Sequence, residues 1–275
     1  MAANPPATAT TAQTTAKKQG STLGFLLRFA LAAWLLRALL LEPFFIPSGS
    51  MLPTMAIGDY LFVQKWPYGY SRFSFPWQVP PIAGRWFSAL PARGDVVVFK
   101  PPTSDRDSWV KRVIGLPGDI IAVRDGTVIL NGRPVPRVSL GDKAVPLSPN
   151  SPCRTIGGEP RVVGGAGGPN CLYSAFRETL PGGKTYLTLD QADVPMDQFG
   201  PVAVPAGTVF VMGDNRDDSE DSRFSPAAGG VGFLPVDRIV GRAGHIFWST
   251  DGSSDYTKPW TWFSALRADR IGTRY

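Results

Sequence analysis

The 275-residue chain carries 28 Lys and Arg against 22 Asp and Glu, with one His, two Cys and 43% hydrophobic residues, which excludes a wholly disordered chain and a disulfide-dense mini-domain. Much of the formal charge of +6 comes from Lys17, Lys18, Arg28 and Arg37 near the start. The remainder lacks the clustered basic face of a nucleic-acid binder, so no nucleic acid is expected as a partner. The 30 Gly and 27 Pro make up roughly a fifth of the chain, against about 12% in average usage, and imply frequent turns.

Residues 1–22 are rich in Ala and Thr, contain no acid and lack hydrophobic periodicity, so they read as a disordered tail on the cytoplasmic side. An organelle transit peptide is the alternative for so acid-poor a stretch, although it has no Arg. From Leu23 to Ile46, 19 of 24 residues are apolar, and a helix that crosses a bilayer needs roughly 20. Arg28 marks one boundary, and Arg37 lies near the other, where a long side chain can snorkel to the headgroups. A cleaved secretory signal, an in-plane amphipathic helix and a buried core helix compete with this anchor. The small residues at Ala30-Leu31-Ala32, however, fall mid-run, and at about 100° per residue Arg28 and Arg37 project from opposite sides, leaving no polar face. A transmembrane helix over 23–46 is therefore expected, with the basic N-terminus in the cytoplasm and everything after it outside.

Residues 47–275 read as one β-rich extracytoplasmic domain. Short β-prone runs at Tyr60–Lys65, Val96–Lys100, Trp109–Gly115, Ile120–Val123, Thr127–Leu130, Thr185–Leu189, Val209–Met212 and Ile246–Trp248 are separated by turn signals, and Asp125-Gly126 predicts a hairpin turn. Two stretches depart from this pattern. Residues 71–92 combine prolines with Phe73, Phe75, Trp77, Trp86 and Phe87, aromatics that either pack inside or sit at a lipid interface. A loop-rich insertion is expected around 131–205, most Gly- and Pro-dense between 141 and 170. Cys153 and Cys171 flank much of that dense part, and either close it as a disulfide or remain free thiols.

His245 is the only histidine, so any triad or dyad that needs an imidazole must use it; in its apolar β run it reads as structural. Two Cys and one distant His fit no zinc spacing, and no phosphate-binding glycine loop is present. Asp214, Asp217, Asp218, Glu220 and Asp221 fail as a calcium loop, because the register from Asp217 puts Ser222 where Gly is needed and Ala228 where Glu is needed. Arg216 and Arg223 in that stretch suggest internal ion pairs instead. A serine can be activated without histidine by a lysine whose burial favours the neutral amine. Ser50, on the stiff Pro47-Ser48-Gly49-Ser50-Met51-Leu52-Pro53-Thr54 segment, and Lys111, placed by strand alternation on the face of Trp109 and Val113, are the candidates. The plain alternative is that one of the adjacent Lys111 and Arg112 is simply exposed.

Four blocks in order, Pro47 to Thr54, Arg93 to Phe99, Lys111 to Asp119 and Gly213 to Arg223, resemble bacterial type I signal peptidases. Val240-Gly241-Arg242-Ala243 and Arg270-Ile271-Gly272 extend the resemblance, which is weakest between about 131 and 205. It implies a mainly β, barrel-like catalytic domain behind one transmembrane helix, in the inner membrane near the protein-export machinery. It further implies removal of signal peptides from exported preproteins, with no cofactor and no metal. By this resemblance Ser50 is the nucleophile, Lys111 the general base, and Ser48 an oxyanion donor beside the Ser50 N–H. Ser219 orients the amine, and Asp221 with Arg223 supports the site. Phe44, Ile46, Met51, Met55, Leu61, Val98, Trp109 and Val110 correspond to pocket positions that select small residues at −1 and −3, or else form core. Asp218 stands where the family usually has Asn, and is expected to point away from the amine. A pilin-processing or conjugation peptidase, and an inactive membrane-anchored binding module, are the alternatives. The Ser-x-x-Lys at Ser108 to Lys111 is not that of penicillin-recognising enzymes, because no Lys-Thr-Gly accompanies it and the segment is β-prone.

Overall fold

The structure is a computed structural model that describes residues 22–165, 168–255 and 257–275. The tail predicted before Thr22 lies outside the described residues. Thr22–Leu39 forms an 18-residue helix, apolar on every side, in which Ala38 alone is buried. At about 1.5 Å per residue it extends roughly 27 Å, close to the thickness of a bilayer's hydrocarbon core. It is long and apolar enough to cross a membrane.

The helix stops short of the predicted Ile46, and Leu41–Phe45 is a strand instead. Pro43 explains the correction. Inside a helix its ring would collide with the carbonyl of Leu39, four residues back, and the residue before a proline is pushed toward extended geometry. Glu42 then fastens the helix end to the sheet, pairing with Arg37 at 3.3 Å and with the fully buried Lys65 at 2.8 Å.

Seven antiparallel strands form the main sheet, in the spatial order Leu41–Phe45, Asp59–Gln64, Ile239–Ser249, Val96–Phe99, Trp109–Gly115, Thr208–Met212 and Leu234–Pro235. Ile239–Ser249 thus lies between two strands from the first hundred residues of the chain. Its register slips at three places, and such bulges bend a strand and curl its sheet. Ile46, Met51, Met55, Leu61, Val98 and Val110 belong to the core cluster beneath this curl. A smaller sheet joins Phe199–Ala203, Ile120–Arg124, Thr127–Leu130 and Arg133–Pro134. Its hairpin turns at Asp125 and Gly126, which have φ of 48° and 69°, the left-handed pair a two-residue hairpin requires.

The region predicted as loop-rich is largely strand. Arg137–Pro146 pairs with Gly168–Thr179, which also pairs with Val162–Gly165 and Thr185–Leu189. Arg137–Pro146 is exposed along most of its length, so it has no buried face to impose hydrophobic alternation on its sequence. Gly141, with φ of 73°, sits at a register shift in that strand rather than in a loop. The longest irregular stretch is the segment from 147 to 161, which a disulfide between Cys153 and Cys171 ties to the neighbouring strand, with Cα atoms 5.4 Å apart.

Candidate active site

The segment after Ile46 is held by groups remote in sequence. Leu52 N–H donates to Gly49 O at 3.0 Å and Met55 N–H to Met51 O at 2.9 Å, closing tight turns over the buried Met51 and Met55. Asn215 donates from its backbone to Ser50 O and from its side chain to Gly49 O, both at 3.1 Å. A Cβ on Gly213 would lie 2.6 Å from Ser50 O, so that close approach requires glycine. From the other direction, Arg270 and the Tyr275 hydroxyl donate to Thr54 O at 3.2 and 3.1 Å. Within this frame the Ser50 N–H donates to no group among the described residues.

Lys111 comes from the adjacent strand region, in register with Val97, and its Nζ donates to Ser50 Oγ at 2.8 Å. Both residues are buried, at 7% and 4% exposure for Ser50 and Lys111. The amine also lies 5.6 Å from the centre of the Trp109 ring. Burial lowers its pKa to about 8, against the opposing pull of Asp221, Glu220, Asp218 and Asp214. Arg112 is buried as well, so neither member of the Lys-Arg pair is a surface residue. It turns to the other face, gripping Asp214 through Nε at 2.7 Å and Nη2 at 2.5 Å and donating to Gly94 O at 2.9 Å.

The polar segment 213–223 forms a wall of internal ion pairs. Arg223 holds Asp221 in a fork at 2.9 and 3.0 Å, and Gly213 N–H adds a bond at 3.0 Å. Burial alone would raise the Asp221 carboxyl, but Arg223 and these N–H donors hold it below the usual carboxylate range. Arg216 pairs with Glu178 at 2.5 Å, and the Tyr186 hydroxyl donates to the same carboxylate at 2.7 Å. Arg216, read from the sequence as an internal ion-pair partner, is one, whereas its partner Glu178 and the pairing of Arg112 with Asp214 were missed by sequence reasoning. The available signal was Arg112 itself, a charge in a β run with no polar side to receive it.

Ser219 is buried in the same wall, but its Oγ has no hydrogen-bond partner among the described residues, and the bond from Lys111 goes to Ser50 instead. Ser48 is exposed. Asp218 is drawn to Arg154, 3.1 Å away on the disulfide-tied segment. His245 accepts from Arg274 Nε and is not among the residues lining the cavity.

A cavity of about 930 Å³ opens over the pair, lined by Ser48, Ser50, Lys111 and Ser219 together with Phe44, Trp109 and Val110. The other five expected pocket residues, Ile46, Met51, Met55, Leu61 and Val98, lie in the core behind the wall, each essentially inaccessible. Among the described residues, Asp190, Asp197 and Asp217 are the group spaced closely enough to share a metal ion. Asp190 is already bound to Arg137, while Asp217 and Asp197 accept from backbone N–H groups. A buried hydroxyl bonded to an amine with a lowered pKa, at the base of an open cleft, has the parts needed for nucleophilic attack on a carbonyl.

Against known proteins, the family model for signal peptidase, peptidase S26, matches residues 20–248. A signal peptidase I of Rickettsia typhi is 35% identical over 245 residues, covering 86% of this chain and 81% of that protein. A signal peptidase I of Rickettsia canadensis is 36% identical over 227 residues, covering 79% and 76%. A crystal structure of a signal peptidase I from Enterococcus faecalis V583 is 24% identical with a TM-score of 0.29, covering 56% of this chain and 97% of that one.

Proposed function

The chain belongs to the signal peptidase family S26, whose members are hydrolases, and from that premise we propose that it is a membrane-anchored Ser-Lys endopeptidase that cleaves signal peptides from exported preproteins. The observation that carries this reading is the 2.8 Å bond between Lys111 Nζ and Ser50 Oγ, with both groups buried at the base of the cleft. Neutral Lys111 takes the hydroxyl proton as Ser50 Oγ attacks the scissile carbonyl, then returns it to the leaving amine as the peptide C–N bond breaks. The resulting ester on Ser50 is hydrolysed by water, with Lys111 again as base. The unengaged Ser50 N–H and the exposed Ser48 hydroxyl are the donors for the developing oxyanion. Ser219 lines the same cavity as the amine, and the Asp221–Arg223 pair holds segment 213–223 against the nucleophile turn.

Specificity follows from the wall of the cleft. Phe44, Trp109 and Val110 leave shallow apolar room beside Ser50, which accepts small residues at −1 and −3 and sterically rejects bulky ones. The cleavage-site peptide lies extended beside the strands that carry the pair.

Thr22–Leu39 is the anchor, with the basic N-terminal flank on the cytoplasmic side. Two features beyond the helix support this placement. The Tyr70 hydroxyl donates to Leu39 O at 2.8 Å, fixing the 70–87 segment at the helix end. That segment presents Trp77 and Phe87 at 85% and 86% exposure, as suits rings seated among lipid headgroups.

The test is cleavage of a preprotein with an Ala-x-Ala site by the detergent-solubilised full chain, beside Ser50→Ala and Lys111→Met. The expected result is a single cut after the second Ala with the parent chain and none with either variant. Equal cleavage by Ser50→Ala would exclude the mechanism, and an uncut preprotein would leave a binding module.

A further inference from the structure

Arg154 lies in the irregular segment after Arg137–Pro146. Two fixtures hold it against strand Gly168–Thr179. Its neighbour Cys153 is bonded to Cys171 of that strand, and its own N–H donates to the Tyr173 hydroxyl at 3.2 Å. From this mount the guanidinium reaches Asp218, with Nη2 3.1 Å from Oδ1. Asp218 stands beside the nucleophile turn, since a Cβ on Gly49 would lie 3.6 Å from its Oδ2. Arg154 and Asp218 line the same cavity as Ser50 and Lys111.

The charges around the amine give this contact its meaning. Lys111 is faced by Asp221, Glu220, Asp218 and Asp214. Asp221 is neutralised by Arg223 and Asp214 by Arg112, while Glu220 is exposed and screened by water. Asp218 is half-buried, and the charged groups acting on it are Arg154, Lys111 and Glu220. Without Arg154, the cation left to it is the Lys111 ammonium, the form that cannot act as a base.

We propose that Arg154 is a positioning residue for the Ser50–Lys111 pair: it neutralises Asp218, so that this carboxylate does not claim the lysine as its counter-ion, and the Cys153–Cys171 bond keeps it in place. The inference deepens the peptidase reading and rests on it. It makes the inserted region part of the catalytic apparatus rather than an ornament beside it.

The test uses the detergent-solubilised full chain and the pH profile of kcat/KM on an Ala-x-Ala preprotein. Arg154→Gln moves the acid limb upward by about half a pH unit or more, a roughly threefold loss on that limb, with the alkaline plateau kept. Arg154→Lys keeps the original profile, and Asp218→Asn added to Arg154→Gln brings the limb back. Cys153→Ser with Cys171→Ser shifts it in the same direction as Arg154→Gln. An unmoved limb in Arg154→Gln, or a shift that persists after Asp218→Asn, overturns the proposal. An unmoved limb in the cysteine variant alone overturns the tether. A second readout needs no turnover: in [13Cε]lysine-labelled protein, the Lys111 resonance, identified by its loss in Lys111→Met, titrates at higher pH in Arg154→Gln if the proposal holds and unchanged if it fails. If the parent chain cuts no preprotein, the peptidase reading fails, and this titration still decides the place of Arg154.

Discussion

Lys111 makes the fold less stable than a neutral side chain would, and Lys111→Met measures by how much. An amine lowered from 10.5 to about 8 by burial penalises the folded state over the whole range in which both folded and unfolded chains carry the proton. The shift corresponds to about 3 kcal/mol at pH 6 and shrinks to under about 1 kcal/mol at pH 10, where the folded chain has lost the proton and the unfolded chain mostly keeps it. Methionine preserves the length and apolar stem but gives up the hydrogen bond to Ser50, worth about 1 kcal/mol. The variant should therefore be about 2 kcal/mol more stable than its parent at pH 6 and nearly equal at pH 10. Urea unfolding of both chains at the two pH values, in the same detergent, reads the difference. A variant less stable than its parent by the same amount at both values would show that the amine is not held against its own charge, and the neutral-base argument would fail with it.

Asp221→Asn leaves Arg223 buried beside a neutral partner and should lower stability by about 3 kcal/mol in thermal or urea unfolding at neutral pH. Because the folded-state pKa of Asp221 is lowered, the parent keeps this contribution above about pH 4 and loses it as pH falls through the lowered value, so the gap between the two chains should close in strong acid. Gly213→Ala drives a methyl into Ser219 Oγ and Cβ and against Ser50 O, and should reduce kcat by about a hundredfold, the scale of a 1 Å misplacement, in a chain that still folds. A fully active Gly213→Ala would show that segment 213–223 does not set the position of Ser50. Trp77→Ala with Phe87→Ala should leave the melting temperature unchanged, because both rings are exposed, yet weaken flotation with lipid vesicles once the helix is removed or masked.

What could be read from the chain alone follows from where each element stands. Asp59–Gln64 alternates buried and half-buried positions along its length, and that alternation is visible in the residues themselves. Trp109–Gly115 is buried almost throughout, and its β-branched run marks it equally well. Leu41–Phe45 was concealed because Leu41, Phe44 and Phe45 keep the apolar character of the helix, and Glu42 and Pro43 were the signals that the periodicity had to change. Arg137–Pro146 escaped because a strand wet on both faces carries no pattern. At the site, Ser50 on its proline-flanked turn and Lys111 in a β run were legible as residue types out of place. Their meeting across 61 residues was not, nor was the pairing of Arg112 with Asp214 across 102, because partner choice between distant charges is settled by the curl of the sheet. Of the expected pocket positions, Phe44, Trp109 and Val110 line the cavity, while Ile46, Met51, Met55, Leu61 and Val98 sit in the core cluster, the alternative that the residue types alone left open.

Thr54, four residues past Ser50, is braced by groups 216 and 221 residues further along, and the Ser50 carbonyl is braced by Asn215. In a chain made in N-to-C order, Ser50 therefore emerges early, while the groups that hold its turn arrive last. The proposed Ser50–Lys111 site is therefore complete once the last residues of the chain have joined the fold.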